Sequence, residues 1–160
     1  MIRLGKLTDY GLVLMSQIAR CAPAEVHTAR DLAAQCHLPL PTVSKLLKKL
    51  LHSGLLTSHR GIKGGYNLAR ESQLISLAEI IAALEGPLAL TECSMEITGL
   101  CDLESLCPIK DNQRIISQVI RGALEKVTLS DLIRPMRLTA IRDQRGNLVP
   151  TVSVASGRMQ

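Results

Sequence analysis

The sequence predicts a mainly α-helical protein: a winged helix-turn-helix with a two-stranded wing, followed by a long C-terminal helix. Three observations predict this class. Apolar residues recur at helical spacing through most of the chain before Pro135. A turn carrying Pro39 and Pro41 separates a short helical segment from a basic one. A basic, glycine-rich hairpin, LLTSHRGIKGGYNLAR, follows directly.

The first helix covers LTDYGLVLMSQIAR (7–20), with Leu7, Tyr10, Leu14 and Ile18 on one face. Thr8 or Asp9 is expected to cap its start. After the loop APAEV, Thr28 opens a second helix with Asp31 three residues on, and this helix runs to about Cys36. Pro41 then stands in a first helical turn, the helical position that tolerates it. The helix it opens has Val43, Leu46, Leu47, Leu50 and Leu51 as its apolar face, and Gly54 ends it. Strands near 55–59 and 65–69 flank a tip, Arg60-Gly61-Ile62-Lys63-Gly64-Gly65. Ser76 and Glu79 form a capping box for SLAEIIAALEG, which Gly86-Pro87 stop. A long helix follows Pro108 to roughly 126, with Ile116, Val119, Ile120, Ala123 and Val127 on one stripe. Thr128 and Asp131 cap a short last helix. From Pro135 the chain is polar and punctuated, and a loosely ordered tail is expected.

The 160 residues suit one domain, or a domain with an appendage. Apolar residues make up 46%, but Trp and Phe are absent, so the core must be aliphatic. No apolar run approaches the ~18 residues of a membrane span. The start, MIRLGKLTDYG, shows no signal-peptide pattern. The expectation is a soluble cytoplasmic protein with no membrane partner, whose thiols are kept reduced. No Ser/His/Asp order, phosphate loop or HExxH is present, so no enzymatic activity is expected.

Charge divides unevenly. Residues 1–70 hold ten Lys/Arg against three Asp/Glu, a net of +7, and residues 71–160 a net of −2. A basic front half fits a polyanion, and helix, helix, turn, helix, wing is the order of a DNA reader. The helix at 41–52 would enter the major groove. Lys45, Lys48 and Lys49 suit phosphates, while Thr42, Ser44 and Lys45 lie near the end that reaches base edges. Arg60 and Lys63 would grip phosphates or a minor groove, and Gly64 and Gly65 would let the wing backbone come close. The lysines also fit a merely solvated helix face, and a winged helix can bind protein instead.

Cys93, Cys101 and Cys107 are spaced Cys-x7-Cys-x5-Cys. On one helix they would lie roughly 12 Å and 9 Å apart along the axis, too far for one small metal centre. Gly99 and Pro108 argue for a loop instead. Glu92, Glu96, Asp102 and Glu104 disfavour a bare thiolate, which speaks against a free redox switch and for a bound metal. Zinc prefers closer Cys pairs and a fourth ligand, whereas iron–sulfur clusters accept wider spacings. Three packed thiols remain an open reading. Cys21 and Cys36 read as packing residues.

LTDYGL, TARDLA, the basic helix, SHRGIKGGYNLAR, SLAEIIAALEG, three cysteines and a long helix, in that order, resemble the IscR/NsrR-type winged-helix regulators (the Rrf-two family). The resemblance covers about residues 1–133 and is greatest to proteobacterial regulators of SUF iron–sulfur assembly. It implies a transcriptional regulator and repressor, a homodimer on double-stranded DNA with a palindromic operator. It also implies an iron–sulfur cluster, [2Fe-2S] or [4Fe-4S], on Cys93, Cys101 and Cys107. Dimerisation through the helix at 108–126 is implied too. The first Cys gap is longer than in better-known members. Pro108, Ile109 and Lys110 stand where some members have a His. Asp9 matches a position from which the partner subunit completes the site in some relatives; a helix cap is its other reading. The implied organisation is 1–75 winged helix DNA-binding domain, 76–107 helix and cluster-binding loop, 108–134 dimerisation helix and short final helix, and 135–160 tail. A nitric-oxide or redox-sensing repressor, an iron–sulfur carrier that does not bind DNA, and a zinc-stabilised module are the alternatives.

Overall fold

The protein is described by a computed structural model that covers residues 4–22, 25–61, 64–95, 101–103, 105–142, 145–146 and 148–154. Helix α1 (Lys6–Arg20) leads to α2 (Ala29–Gln35) and α3 (Leu40–His52). Strands β1 (Leu56–His59) and β2 (Gly65–Leu68) pair antiparallel, with Leu56 opposite Leu68 and His59 opposite Gly65. A 3-10 turn at Ser72–Leu74 precedes α4 (Leu77–Glu85), and a second at Glu92–Ser94 lies in the segment before α5 (Lys110–Glu125). Helix α6 (Leu129–Leu132) is one turn long, and β3 (Met136–Arg142) and β4 (Leu148–Val154) close the described chain. The mainly helical winged fold with its two-stranded wing is thus present.

Helix ends follow the expected side chains in most cases. Thr28 Oγ1 accepts from the Asp31 N–H at 3.2 Å. The capping boxes Ser76–Glu79 and Thr128–Asp131 are both complete. Helix α3 ends in a Schellman arrangement: the Gly54 N–H donates to Leu51 O and the Leu55 N–H to Leu50 O, with Gly54 at φ +74°. The start of α1 differs. Its N-cap is Gly5, with no side-chain cap, and the Gly5 N–H donates to a Glu85 carboxylate oxygen. Thr8 is buried inside the helix instead. Glu85 thus satisfies the N–H of the N-cap residue itself, and no side chain caps the first turn.

The core is aliphatic. Leu14 and Met15 of α1, Leu32 of α2, and Val43, Leu46, Leu47 and Leu50 of α3 meet Leu55, Leu56, Ile75, Ile80, Leu84 and Leu129. It therefore extends past residue 75 into α4 and α6. The two capped starts sit side by side: Leu77 N–H donates to Val127 O at 2.7 Å and Leu129 N–H to Ile75 O at 2.8 Å. This returns the chain to the core after α5. Arg70 bonds Glu79 at 2.7 Å and ties the wing's exit to α4. Burial raises the Glu79 carboxyl, but the Ser76 backbone N–H and Arg70 outweigh it and hold the carboxyl below its usual range.

The wing is fastened to the loop after α1. His27 N–H donates to Tyr66 O at 2.9 Å, and Tyr66 N–H returns to His27 O at 2.8 Å. A Cβ at Gly65 would stand 2.5 Å from His27 O, and one at Gly64 2.3 Å from His59 O. Backbone oxygens cannot swing aside as side-chain ends do. Gly65→Ala should therefore break this bridge and cost about 1–3 kcal/mol, as overpacking does. Urea unfolding of the pure protein measures it.

The tail differs from the expectation. Residues 136–142 and 148–154 form an antiparallel hairpin with Thr139 opposite Thr151, not a loose segment. Val149, Thr151, Val152 and Val154 are β-branched, Gly146 supplies a positive φ of +80°, and Arg142 donates to Gly146 O at 3.0 Å. Pro150 is compatible because both strands of a two-stranded sheet are edges. No helix among the described residues is long and apolar enough to cross a membrane.

Candidate nucleic-acid interface and cysteine loop

Helix α3 buries Val43, Leu46, Leu47 and Leu50 and so turns Ser44, Lys45 and Lys48 outward, with Thr42 half-buried at the first turn. Exposed Leu40 stands at the same end, an apolar side chain that the sequence pattern did not single out. Lys49 is also exposed, but its ammonium donates to Leu84 O at 2.8 Å. It caps the last turn of α4, where the helix dipole favours a cation. Its charge points along the protein rather than away from it.

On the wing, Arg60 is exposed just after β1. Lys63 lies outside the described residues. Gly61 has φ +115°, and the Gly64 N–H donates to Gly61 O at 2.9 Å. Gly64 and Gly65 are explained by the close backbone approaches described above. His59 and Thr57 share the Asn67 side-chain oxygen across the strands, which fixes the strand pair carrying Arg60.

The cysteine stretch leaves α4 at Gly86 (φ +99°) and reaches α5 at Lys110. Among its described residues only the three-residue turn Glu92–Ser94 is helical. Cys93 is in that turn. Cys101 and Cys107 are free and half-buried in non-helical chain. Such a segment permits the thiols to converge where a straight helix would not. The Leu90 N–H donates to Ser117 Oγ of α5 at 3.2 Å and pins the loop's first part. Asp9 is exposed in the first turn of α1 and makes no side-chain cap. Its carboxylate has no hydrogen-bond partner among the described residues.

Helix α5 buries only Ser117. Ile109, Ile115, Ile116 and Val119 are exposed, Val119 at 67%. Leu103 and Leu106 of the cysteine loop are exposed beside them in sequence, Leu106 at 82%. Cys36 caps the end of α2 and packs against the core, and burial pushes its thiol up. Cys21 ends α1. Burial, and after it the Glu25 carboxylate, pushes its thiol up as well. Neither is a poised nucleophile.

Comparison with known proteins agrees with this geometry. The Rrf2 family, described as iron-dependent transcriptional regulator, matches residues 4–135. Rv1287 of Mycobacterium tuberculosis, described as an HTH-type transcriptional regulator, is 34% identical over 134 residues, covering 82% of this chain and 81% of its own. The solved structure of CymR, named the global cysteine regulator of B. subtilis, is similar with a TM-score of 0.64 and 26% identity, covering 83% of this chain and 97% of CymR. That of T. potens IscR is similar with a TM-score of 0.62 and 26% identity, over 82% and 86% of the two chains. The chain belongs to the Rrf2 family of DNA-binding transcriptional regulators.

Proposed function

We propose that this regulator is a homodimeric repressor that senses iron–sulfur status and controls iron–sulfur assembly genes of the SUF type. One observation carries the reading. The described residues around Cys101 and Cys107 are non-helical and run directly into α5, whose apolar face is exposed. A change in the loop is therefore transmitted to the helix best suited to pair two subunits. A cleft of about 620 Å³ between α4, the first part of the loop and α5 leaves the loop room to shift.

The donor set fits a cluster: Cys101 and Cys107 are free on irregular chain, and the three cysteines are widely spaced in sequence. Cys93, Cys101 and Cys107 would hold it as thiolates, and Asp9 of a second subunit would supply the fourth ligand. Bound there, an iron–sulfur cluster provides a centre sensitive to oxidants and nitric oxide. The chain's own part is to couple the loop to α5, and α5 to the spacing of two recognition helices on a palindromic site. The functional parts are then residues 1–75 for DNA, 76–107 for the cluster and 108–134 for pairing. Anaerobic purification, with iron and sulfide counted, tests the reading. Coloured protein with both elements near stoichiometry supports it, and colourless protein with zinc overturns it.

On DNA, Ser44, Lys45, Lys48 and Thr42 of α3, with Arg60, Lys63, Gly64 and Gly65 of the wing, form the binding surface; Lys49 contributes less because α4 holds it. Arg60→Ala should weaken operator binding and lower the salt slope by about one unit for each phosphate that is no longer neutralised. Lys48→Ala should weaken all DNA alike, and Ser44→Ala should change base preference. Fluorescence titration across salt concentrations checks all three, and a slope unchanged in Arg60→Ala would remove Arg60 from the interface.

A further inference from the structure

We propose that Cys21, Glu25 and His27 form a second site, separate from the 93–107 loop, for a divalent transition-metal ion of the zinc class. The Cys21 thiol, a Glu25 carboxylate oxygen and a ring nitrogen of His27 all lie within 4.8 Å of one another. Ligand atoms around a tetrahedral ion with bonds of 2.0–2.3 Å stand about 3.5 Å apart. The cluster needs to close by roughly one ångström, within the reach of side-chain rotation.

His27 supplies the independent observation. It is 4% exposed, and its Nε2 is sealed from solvent with no hydrogen-bond partner among the described residues. A buried imidazole nitrogen without a partner is costly, and a metal ion is one of the few groups that satisfies it without a donor or acceptor. The three residues are also held by different anchors. Cys21 is the C-cap of α1, with its backbone N–H on Ile18 O and its thiol on Gln17 O at 3.5 Å. The Glu25 N–H donates to Ala22 O at 2.9 Å, and His27 is bridged on both sides to Tyr66.

The chemistry of the three ligands selects the ion. One thiolate, one imidazole and one carboxylate suit zinc-like ions and not calcium or magnesium, which take oxygen ligands alone. Glu25 is exposed, and a groove of about 410 Å³ lined by Cys21, Glu25, Asn67 and Arg70 opens beside it. That gives the ion a way in and leaves a fourth position for water. Through the His27–Tyr66 bridge, the ion would fasten the end of α1 to the wing strand β2.

The test uses the full chain with Cys93, Cys101 and Cys107 all changed to Ser, titrated with Co2+ in the absence of oxygen. One Co2+ per chain should bind, with a thiolate-to-cobalt charge-transfer band that Zn2+ displaces. Adding Cys21→Ser should abolish the band. Glu25→Gln should weaken Zn2+ at least about tenfold and His27→Gln at least about 100-fold, since even outer partners of metal ligands are worth that range. Should His27→Gln fail to fold, Cys21→Ser and Glu25→Gln at the surface still decide. A band that never appears, or one that survives Cys21→Ser and so belongs to Cys36, overturns the site.

Discussion

Val119→Asp should turn the protein into a monomer and reduce operator affinity by at least about 100-fold. In the single chain Val119 is 67% exposed, so the substitution removes little packing there, whereas Ile116, at 45%, is partly covered. An Asp at position 119 costs little while the face meets water. It costs much once a second α5 covers it, because an ionised carboxylate without a partner is then taken out of solvent. The fold should therefore survive while assembly fails. Losing the second recognition helix removes bivalent binding, and linked sites exceed single ones by about 10²–10⁴ in avidity. Sedimentation and operator titration measure the two parts separately. Unchanged circular dichroism with a monomeric mass is the expected pair of results. A Val119→Asp protein that stays dimeric would place the interface elsewhere, for example on exposed Leu4, Leu7 and Val13 near α1.

The parts of this fold readable from sequence are those fixed within a few residues. Ser76–Glu79, Thr128–Asp131 and Gly54 each make their bonds inside one helical turn, and all three form as the motifs require. The α3 face was readable because a period of 3.6 needs no partner to be seen. What distant residues decide was not readable. Gly5, not Thr8 or Asp9, is the N-cap of α1, and Glu85, eighty positions away, accepts from its N–H. Lys49 resembles its neighbours in sequence, yet Leu84 O holds it, and only the placement of α4 reveals that. Gly65 reads in sequence as a wing residue that lets the backbone come close to DNA, and the His27 oxygen, from the loop after α1, adds a second reason for glycine there. The terminal hairpin was hidden because polar residues alternate with its Val and Thr, a pattern that also reads as tail. Cys21, Glu25 and His27 lie close in sequence, but that His27 Nε2 has no partner among the described residues shows only when the wing is in place.

Cys101→Ala should abolish cluster content, whereas Asp9→Ala should retain part of it and lose it faster to oxygen or nitric oxide. The difference follows from ligand type and placement. Cys101 is a half-buried thiol within the loop, and removing it leaves only two thiolates to hold four-coordinate irons. Asp9 is exposed and makes no cap, so its carboxylate is available to a second subunit without breaking any hydrogen bond among the described residues. A carboxylate is a harder ligand than a thiolate and suits iron–sulfur chemistry less well. It should be the bond that gives way first, and its loss would release the cysteine loop of one subunit from α1 of the other. Asp9→Cys should accordingly give a more inert centre. Iron and sulfide content after anaerobic reconstitution, followed by the decay of visible absorbance in air, reads all three variants. If Asp9→Ala matches the unaltered protein in content, decay rate and operator affinity, the fourth ligand is not Asp9. Glu92 and Asp102, both exposed on the loop itself, would then be the next carboxylates to replace.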